Sequence, residues 1–158
     1  MIAQKYENGF DPMESRKSSP IRTRKEVLYT ARVVTTCGRE GASRSSDGRL
    51  DVKYSRPESG GIGTNPEQLF AACWSASFEG AMAIIARKMK ITIPEELAIE
   101  AEVDLCSSDK GFFLQARLNI SLPDLDHKVA LTLVNAAHLN CPYSKAVKGN
   151  VGVEINLV

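Results

Sequence analysis

The longest apolar run in the chain, residues 69–86, predicts a central helix that starts at Thr64 or Asn65 and extends through Lys90. Thr64 and Glu67 have the spacing of a capping box, and Pro66 suits the first helical turn. Basic residues that complement the dipole at a helix C-terminus close the run: Arg87, Lys88 and Lys90. Because apolar residues occur on all sides of this helix, we expect a sheet or a second subunit to enclose it.

Shorter patterns on both sides of the helix predict strands and two further helices. The strands are predicted at residues 27–35, 41–46, 50–54, 97–106, 112–122 and 151–158. The helices are predicted at residues 126–137 and 142–148. The order β3–α–β2–α2–β predicts an α+β fold in which a buried central helix packs against six strands. The apolar surface that this helix and these strands must bury is large for 158 residues, which favours a dimer that shares its core.

The chain is predicted to consist of a tail and one domain. Residues 1–24 mix basic, acidic and polar side chains without a sustained period, which is typical of a tail or an arm on a partner subunit. Residues 25–158 are long enough for one domain with its own core. A secretory signal pattern is absent from the sequence, so we expect a cytoplasmic protein.

Composition argues against several classes of partner. A net charge of +1 offers no electrostatic basis for binding nucleic acid or an anionic membrane. Glu79 interrupts the longest apolar run, which disfavours a membrane span. The pair His138 and Cys141 is the only close His/Cys spacing, so we expect no metal site, and no cofactor motif stands out.

Thiol chemistry is the most distinctive possibility among the polar residues. Cys141 precedes Pro142 at the start of a predicted helix, where backbone N–H groups can stabilise a thiolate; alternatively it simply packs there. Cys73 and Ser77 are four residues apart and share a helix face. They either carry chemistry or are small residues that let another element approach closely.

Two charged residues also allow either a structural or a catalytic interpretation. Arg39 is either an exposed turn residue or a cation that holds a thiolate and a peroxide oxygen together. Glu67 is either a capping acid or the carboxylate that orients Arg39. Ten residues of straight helix place Glu67 about 15 Å from Ser77. The two can share a site only if the helix breaks or if Glu67 acts across a dimer interface.

Several segments together resemble the organic hydroperoxide resistance branch of the OsmC/Ohr family. The matching segments are Leu28–Ala31, Gly38–Gly41, Ser46–Gly48, Gly63–Ala72 and Cys141–Ser144. They run through nearly all of residues 27–158. The resemblance implies an intertwined homodimer with β3–α–β2–α2–β protomers, which agrees with the order predicted from the pattern.

The resemblance also implies an activity and a set of site residues. Family members are thiol peroxidases that reduce organic hydroperoxides: a cysteine on the central helix becomes a sulfenic acid. By resemblance, Cys141 resolves that acid as a disulfide, which a lipoyl-type dithiol then reduces. Arg39 is implied to stabilise the thiolate, and Glu67 to position Arg39.

One departure from the family pattern affects the predicted activity. This chain has Ser77 where the family carries the peroxide-attacking cysteine. A serine hydroxyl forms neither a sulfenic acid nor a disulfide, so we expect an inactive or impaired peroxidase, whether the serine is engineered or natural. Cys73, at a position that the family usually gives to glycine, is the possible substitute nucleophile on this helix. We expect it to face the apolar interior and to be structural.

A second function remains open from the sequence. A non-catalytic dimeric protein would use the apolar surroundings of Trp74, Phe78 and Cys141 to bind a hydrophobic ligand. Consumption of peroxide with a dithiol reductant would distinguish the two functions.

Overall fold

The structure is a computed structural model that describes residues 26–158. Residues 26–31 form neither helix nor strand and belong to a unit separate from residues 32–158. The fold below is that of residues 32–158. The predicted tail, residues 1–24, lies outside the described residues.

Three short antiparallel strands form the first sheet, in the order β1–β2–β3. They are β1 (Val33–Thr36), β2 (Ala42–Ser45) and β3 (Asp51–Lys53). Strand β1 begins at Val33 rather than at the predicted residue 27, because β2 pairs with only the four residues from Val33 to Thr36. The six predicted strands are present, and they form two separate sheets of three rather than one sheet.

A tight turn joins β1 to β2 and presents Arg39. Residues Gly38–Glu40 form a single 3-10 turn, and Cys37 before it adopts a left-handed conformation with φ of 56°. A side chain at Gly41 would place its Cβ 1.7 Å from the carbonyl oxygen of Thr36. Only glycine fits there, so this residue sets the path of the turn.

The central helix α1 spans Pro66–Met89 without interruption. The capping box predicted for Thr64 and Glu67 was wrong. Asn65 is the N-cap, and its side chain accepts from the backbone N–H of Gln68 at 2.8 Å. The Thr64 hydroxyl donates to the Gln68 side chain. Glu67 is thereby left free to pair elsewhere.

The rest of the chain forms the second sheet and two helices. Strands β4 (Ala98–Ser108) and β5 (Gly111–Ser121) make a hairpin, and β6 (Gly152–Leu157) lies parallel to β5. Between β5 and β6 come α2 (His127–Asn140) and α3 (Pro142–Val147). The Asp126 carboxylate caps α2 by accepting from two backbone N–H groups.

The core lies where α1 meets α2, α3 and the second sheet. One face of α1 is buried there, and its largest members, Trp74, Phe78 and Met82, are completely covered. The opposite face, which includes Ile84, stays open within one chain. The helix is therefore enclosed on one side only, although its composition is apolar all round.

Among residues 26–158, α1 is the one helix with enough length and apolar content to cross a membrane. Its Trp74 face packs into the protein core, and Glu79 lies on its exposed side. Both features are those of a core helix in a folded domain.

A buried hydrogen bond holds α3 against α1. The indole N–H of Trp74 donates to the hydroxyl of Ser144 at 3.2 Å, and both side chains are excluded from solvent. Because a buried donor without a partner is costly, this bond constrains how α3 sits on the central helix.

Removing the Ser144 hydroxyl should destabilise the fold. In Ser144→Ala the Trp74 N–H keeps its buried position but loses its acceptor, which should lower the free energy of unfolding by about 1–3 kcal/mol. Urea unfolding at one fixed protein concentration measures the change. Thr132→Ala is the matched control, because that exposed hydroxyl only bonds the Lys128 carbonyl in its own helix. Equal stability of the two variants would contradict the prediction.

Candidate active site

Ser77 and Cys141 meet where α1 packs against the junction of α2 and α3. The Ser77 Oγ lies 3.6 Å from the Cys141 Sγ, within hydrogen-bonding distance for sulfur. Ser77 is half-buried on α1, whereas Cys141 is completely buried between α2 and α3. Sixty-four residues of chain separate the two, so only the tertiary fold brings them together.

The backbone of Cys141 is held on both sides. Its N–H donates to the Ala137 carbonyl at the end of α2, and its carbonyl accepts from the Lys145 N–H in α3. Cys141 is the N-cap residue of α3, at the helix start that the sequence predicts; its sulfur makes no capping hydrogen bond and contacts Ser77. The residue thus serves as a joint between two helices, with its sulfur directed at α1.

An apolar cavity of about 470 Å³ opens beside Ser77. Its lining is mostly aliphatic, with one amide: Ser77, Gly80, Ala81, Ile84, Ile85, Asn140 and Pro142. The residues predicted to surround a hydrophobic ligand therefore do not form this cavity. Trp74 and Phe78 are fully buried core residues that do not line this cavity.

A charged pair occupies the start of α1. The Arg39 guanidinium donates to both carboxylate oxygens of Glu67, at 2.9 and 2.6 Å. Hydrogen bonding to Arg39 lowers the pKa of the Glu67 carboxyl, and the same bond raises the pKa of Arg39. The Glu67 side chain is only 15% exposed, whereas that of Arg39 is 47% exposed. The carboxylate thus holds a guanidinium that still faces outward.

A second cavity, of about 700 Å³, adjoins this charged pair. Apolar side chains of the second sheet, Val103, Leu105 and Phe112, line it together with Arg39 and Glu67. Phe112 is 82% exposed within one chain. The charged pair therefore borders an open apolar surface.

Within one chain the two halves of the predicted site are separate. Arg39 and Glu67 lie together, and so do Ser77 and Cys141, but the two pairs line different cavities. Because α1 is unbroken from residue 67 to residue 77, ten residues separate the pairs by about 15 Å along the helix.

Cys73 does not face the interior, so that expectation was wrong. Trp74 and Phe78 point into the core, and this rotation of α1 leaves Cys73 exposed. Its thiol lies beside the hydroxyl of Tyr143, the second residue of α3. The pKa of Tyr143 is raised, first by burial, then by neighbouring Cys73 and more weakly by Cys141.

The sequence prediction missed three residues near the site. Ser144 and Tyr143 lie in the Cys-Pro-Tyr-Ser segment, whose polar residues next to Cys141 were an available signal. His138, one helical turn before Cys141, packs its ring 6.5 Å from that of Phe78. Its Nδ1 is buried without a hydrogen-bond partner.

The cysteines and acidic residues offer no metal site in the described part of the chain. Residues 26–158 contain no group of three or more His, Cys, Asp or Glu side chains placed to hold an ion. All four cysteines are free thiols: Cys37, Cys73, Cys106 and Cys141.

Comparison with known proteins agrees with this architecture. Residues 58–156 match the family model described as OsmC-like protein. The organic hydroperoxide resistance protein of Xanthomonas axonopodis pv. citri is 45% identical over 84% of this chain and 96% of its own length. OhrB of Bacillus subtilis, also an organic hydroperoxide resistance protein, is 46% identical over 83% of this chain and 98% of its own.

Solved structures show the same fold. The crystal structure of Bacillus subtilis OhrB superimposes with a TM-score of 0.79 at 43% identity, and the match covers 84% of this chain and all of that one. An organic hydroperoxide resistance protein from Elizabethkingia anophelis gives a TM-score of 0.77 at 33% identity, with 84% and 98% covered. The chain therefore belongs to the OsmC-like family, in its organic hydroperoxide resistance branch.

Proposed function

We propose that this protein acts in defence against organic hydroperoxides, on a thiol-peroxidase scaffold whose attacking position is occupied by Ser77. The observation that carries the proposal is the 3.6 Å contact between the Ser77 Oγ and the Cys141 Sγ. Exchange of that oxygen for sulfur would place two thiols in contact, as oxidation to a disulfide requires. The three proteins described above, all named organic hydroperoxide resistance proteins, support the substrate class.

The apolar cavity beside Ser77 suits the organic part of such a peroxide. Aliphatic side chains line most of its 470 Å³, so an alkyl group would be buried there while the peroxide oxygens face position 77. A dithiol of the lipoyl type would then return the oxidised protein to its reduced state. We place the reaction in the cytoplasm, where thiols are kept reduced.

A homodimer would complete the site. A reactive thiolate needs positive charge or a helix N-terminus nearby, and within one chain Arg39 lines a different cavity from Ser77. The open face of α1 and the exposed aromatic residues of β5, Phe112 and Phe113, form a surface that a second copy would cover. In this proposal, the Arg39–Glu67 pair of one subunit serves the Ser77–Cys141 pair of the other.

The alternative function is a dimeric protein that binds a hydrophobic ligand without chemistry. The same aliphatic cavity supports it, and Ser77 would then contribute only a hydroxyl to the ligand. A gain of peroxidase activity on restoration of a thiol at position 77 separates the alternatives.

The Ser77→Cys variant should be a more active peroxidase than the parent. We expect an increase of about 100-fold or more in dithiol-dependent consumption of tert-butyl hydroperoxide, because the variant gains a thiol at the attacking position. Moving a reacting group by only about 1 Å lowers a rate by about that factor, so its absence should lower the rate at least as much. Ser75→Cys is the matched control, since it adds a thiol to the same helix at a position bonded to the Ala71 carbonyl. If Ser77→Cys is no faster than the parent, the ligand-binding alternative is favoured.

Removal of Cys141 should stop turnover in that background. The double variant Ser77→Cys, Cys141→Ser should consume about one peroxide per chain and then stall, because its sulfenic acid lacks a resolving thiol. Stopped-flow measurements distinguish this single event from continuous turnover. Undiminished turnover without Cys141 would exclude the proposed role of this residue.

The protein should sediment as a dimer. Coverage of the open α1 face and of Phe112 gives association a hydrophobic driving force. Analytical ultracentrifugation at micromolar concentration should therefore show twice the mass of the chain. A folded, stable monomer would refute the shared-site proposal.

The Glu67 carboxylate should make stability depend on acid pH. Its folded pKa is lowered by Arg39, so its contribution is present above the unfolded pKa of about 4.3 and is lost as pH falls through the folded value. The stability difference between the parent and Glu67→Gln should therefore shrink between about pH 5 and pH 3. Urea unfolding across this range measures the difference. Exposed Glu95→Gln is the control, and a constant difference for Glu67→Gln would contradict the prediction.

A further inference from the structure

The cavity beside Ser77 carries a second polar side chain, the amide of Asn140. The other residues of its lining are Gly80, Pro142 and aliphatic side chains. A purely apolar ligand gains nothing from an amide in such a wall. The lining therefore suits a ligand that joins an apolar body to a small polar group.

Asn140 is the last residue of α2, and its side chain is tied back to that helix. The amide nitrogen Nδ2 donates to the Ala136 carbonyl at 2.8 Å. Because a carbonyl oxygen only accepts, this bond fixes which end of the amide is nitrogen and which is oxygen. It is the one hydrogen bond of this side chain among residues 26–158, so the Oδ1 oxygen stays available as an acceptor.

The acceptor of Asn140 and the hydroxyl of Ser77 border the cavity from neighbouring positions. Asn140 directly precedes Cys141, and the Cys141 sulfur lies 3.6 Å from the Ser77 Oγ. A ligand with an O–H group can donate to the Asn140 Oδ1 while its oxygen accepts from the Ser77 hydroxyl. The two side chains thus complement the two hydrogen-bonding functions of a hydroxyl or hydroperoxyl group.

Gly80 leaves room for the apolar body of such a ligand. It lies one turn after Ser77, in the middle of α1, where glycine is less favourable than alanine. A Cβ at this position would meet nothing within 4 Å, so no close approach within the described chain requires glycine. The missing side chain widens the cavity between Ser77 and Ile84.

We infer that Asn140 determines the specificity of this cavity for ligands with a free O–H group. Its Oδ1 accepts the hydrogen bond of an organic hydroperoxide, or of the corresponding alcohol, whose carbon body packs beside Gly80. The inference rests on the proposed function for this ligand class. In a chain with a thiol at position 77, the same hydrogen bond would hold the outer peroxide oxygen beside the sulfur.

The selectivity has a physical cause in desolvation. An O–H group that leaves water for an aliphatic cavity loses its hydrogen bonds to water, which is costly unless an acceptor replaces them. A methyl ether of the same carbon body has no O–H group, and it would separate Oδ1 from water without replacing the lost bond. The alcohol should therefore bind about three- to tenfold more tightly than the ether, the effect of one hydrogen bond between neutral groups.

The test measures binding to the unmodified chain with two probes, 2-phenyl-2-propanol and its methyl ether. NMR titration of 15N-labelled protein gives both dissociation constants, and the side-chain NH2 resonances of Asn140 should shift with the alcohol. Asn140→Leu keeps the branched shape without polar atoms and should abolish the preference for the alcohol. Asn140→Asp keeps an acceptor oxygen and should retain it. Asn135→Leu is the matched control, because Asn135 is an exposed residue of α2 outside the cavity lining.

Three results would overturn the inference. These are a parent chain that binds neither probe, a parent that binds both equally, and a preference that survives Asn140→Leu but is lost in Ser77→Ala. The last result would assign recognition of the O–H group to the residue 77 hydroxyl.

Peroxidase assays with cumene hydroperoxide separate this inference from the proposed function. In the Ser77→Cys background, Asn140→Leu should raise KM about three- to tenfold, the same factor as in binding. If Ser77→Cys is active but the preference for the alcohol does not depend on Asn140, only the role of Asn140 is wrong. If Ser77→Cys is inactive while that preference depends on Asn140, recognition of the O–H group stands and the peroxidase function is wrong.

Discussion

The packing of one face of α1 into the core is the constraint on which the rest of the structure depends. Trp74, Phe78 and Met82 are completely buried, and their positions set the rotation of the helix about its axis. This rotation places Ser77 at the edge of the core, beside Cys141, and Cys73 on the surface. The Trp74–Ser144 hydrogen bond then fixes α3, and with it the joint at Cys141. The positions of the candidate reactive residues thus follow from how the apolar helix packs against the core.

Charge and thiol chemistry are separated along that same helix. The Arg39–Glu67 pair lies at its first turn, next to the apolar side chains of the second sheet. The Ser77–Cys141 pair lies three turns further on, beside a cavity lined largely by aliphatic residues. A straight helix cannot bring the two ends together. The open face of α1 and the exposed aromatic residues of β5 explain how a second copy could do so, by burying both apolar surfaces at once.

Ser77 keeps the geometry of this site but lacks the reactivity of a thiol. The hydroxyl fills nearly the volume of a thiol and keeps the contact with Cys141, so the fold retains its shape. A hydroxyl, however, has no oxidisable sulfur, so in the proposed function Ser77 itself cannot attack a peroxide. The same helix carries the Cys73 thiol one turn away, on the surface of the described chain, whereas Cys141 is buried.

The sequence by itself determined the order of elements, the extent of α1 to within a residue or two, and the family. Helical period, strand alternation and turn residues are local signals, and the Gly63–Ala72 and Cys141–Ser144 segments are contiguous motifs. Only the tertiary structure decided which residues meet. Asn65 caps α1 through the Gln68 N–H, and Glu67 pairs with Arg39, which is 28 residues away in the chain. Six predicted strands form two sheets, because pairing depends on partners distant in the chain. The exposure of Cys73 could not be predicted, because a helix that is apolar on all sides has no sequence pattern that shows which side faces the core. That choice was made by the packing of Trp74 and Phe78.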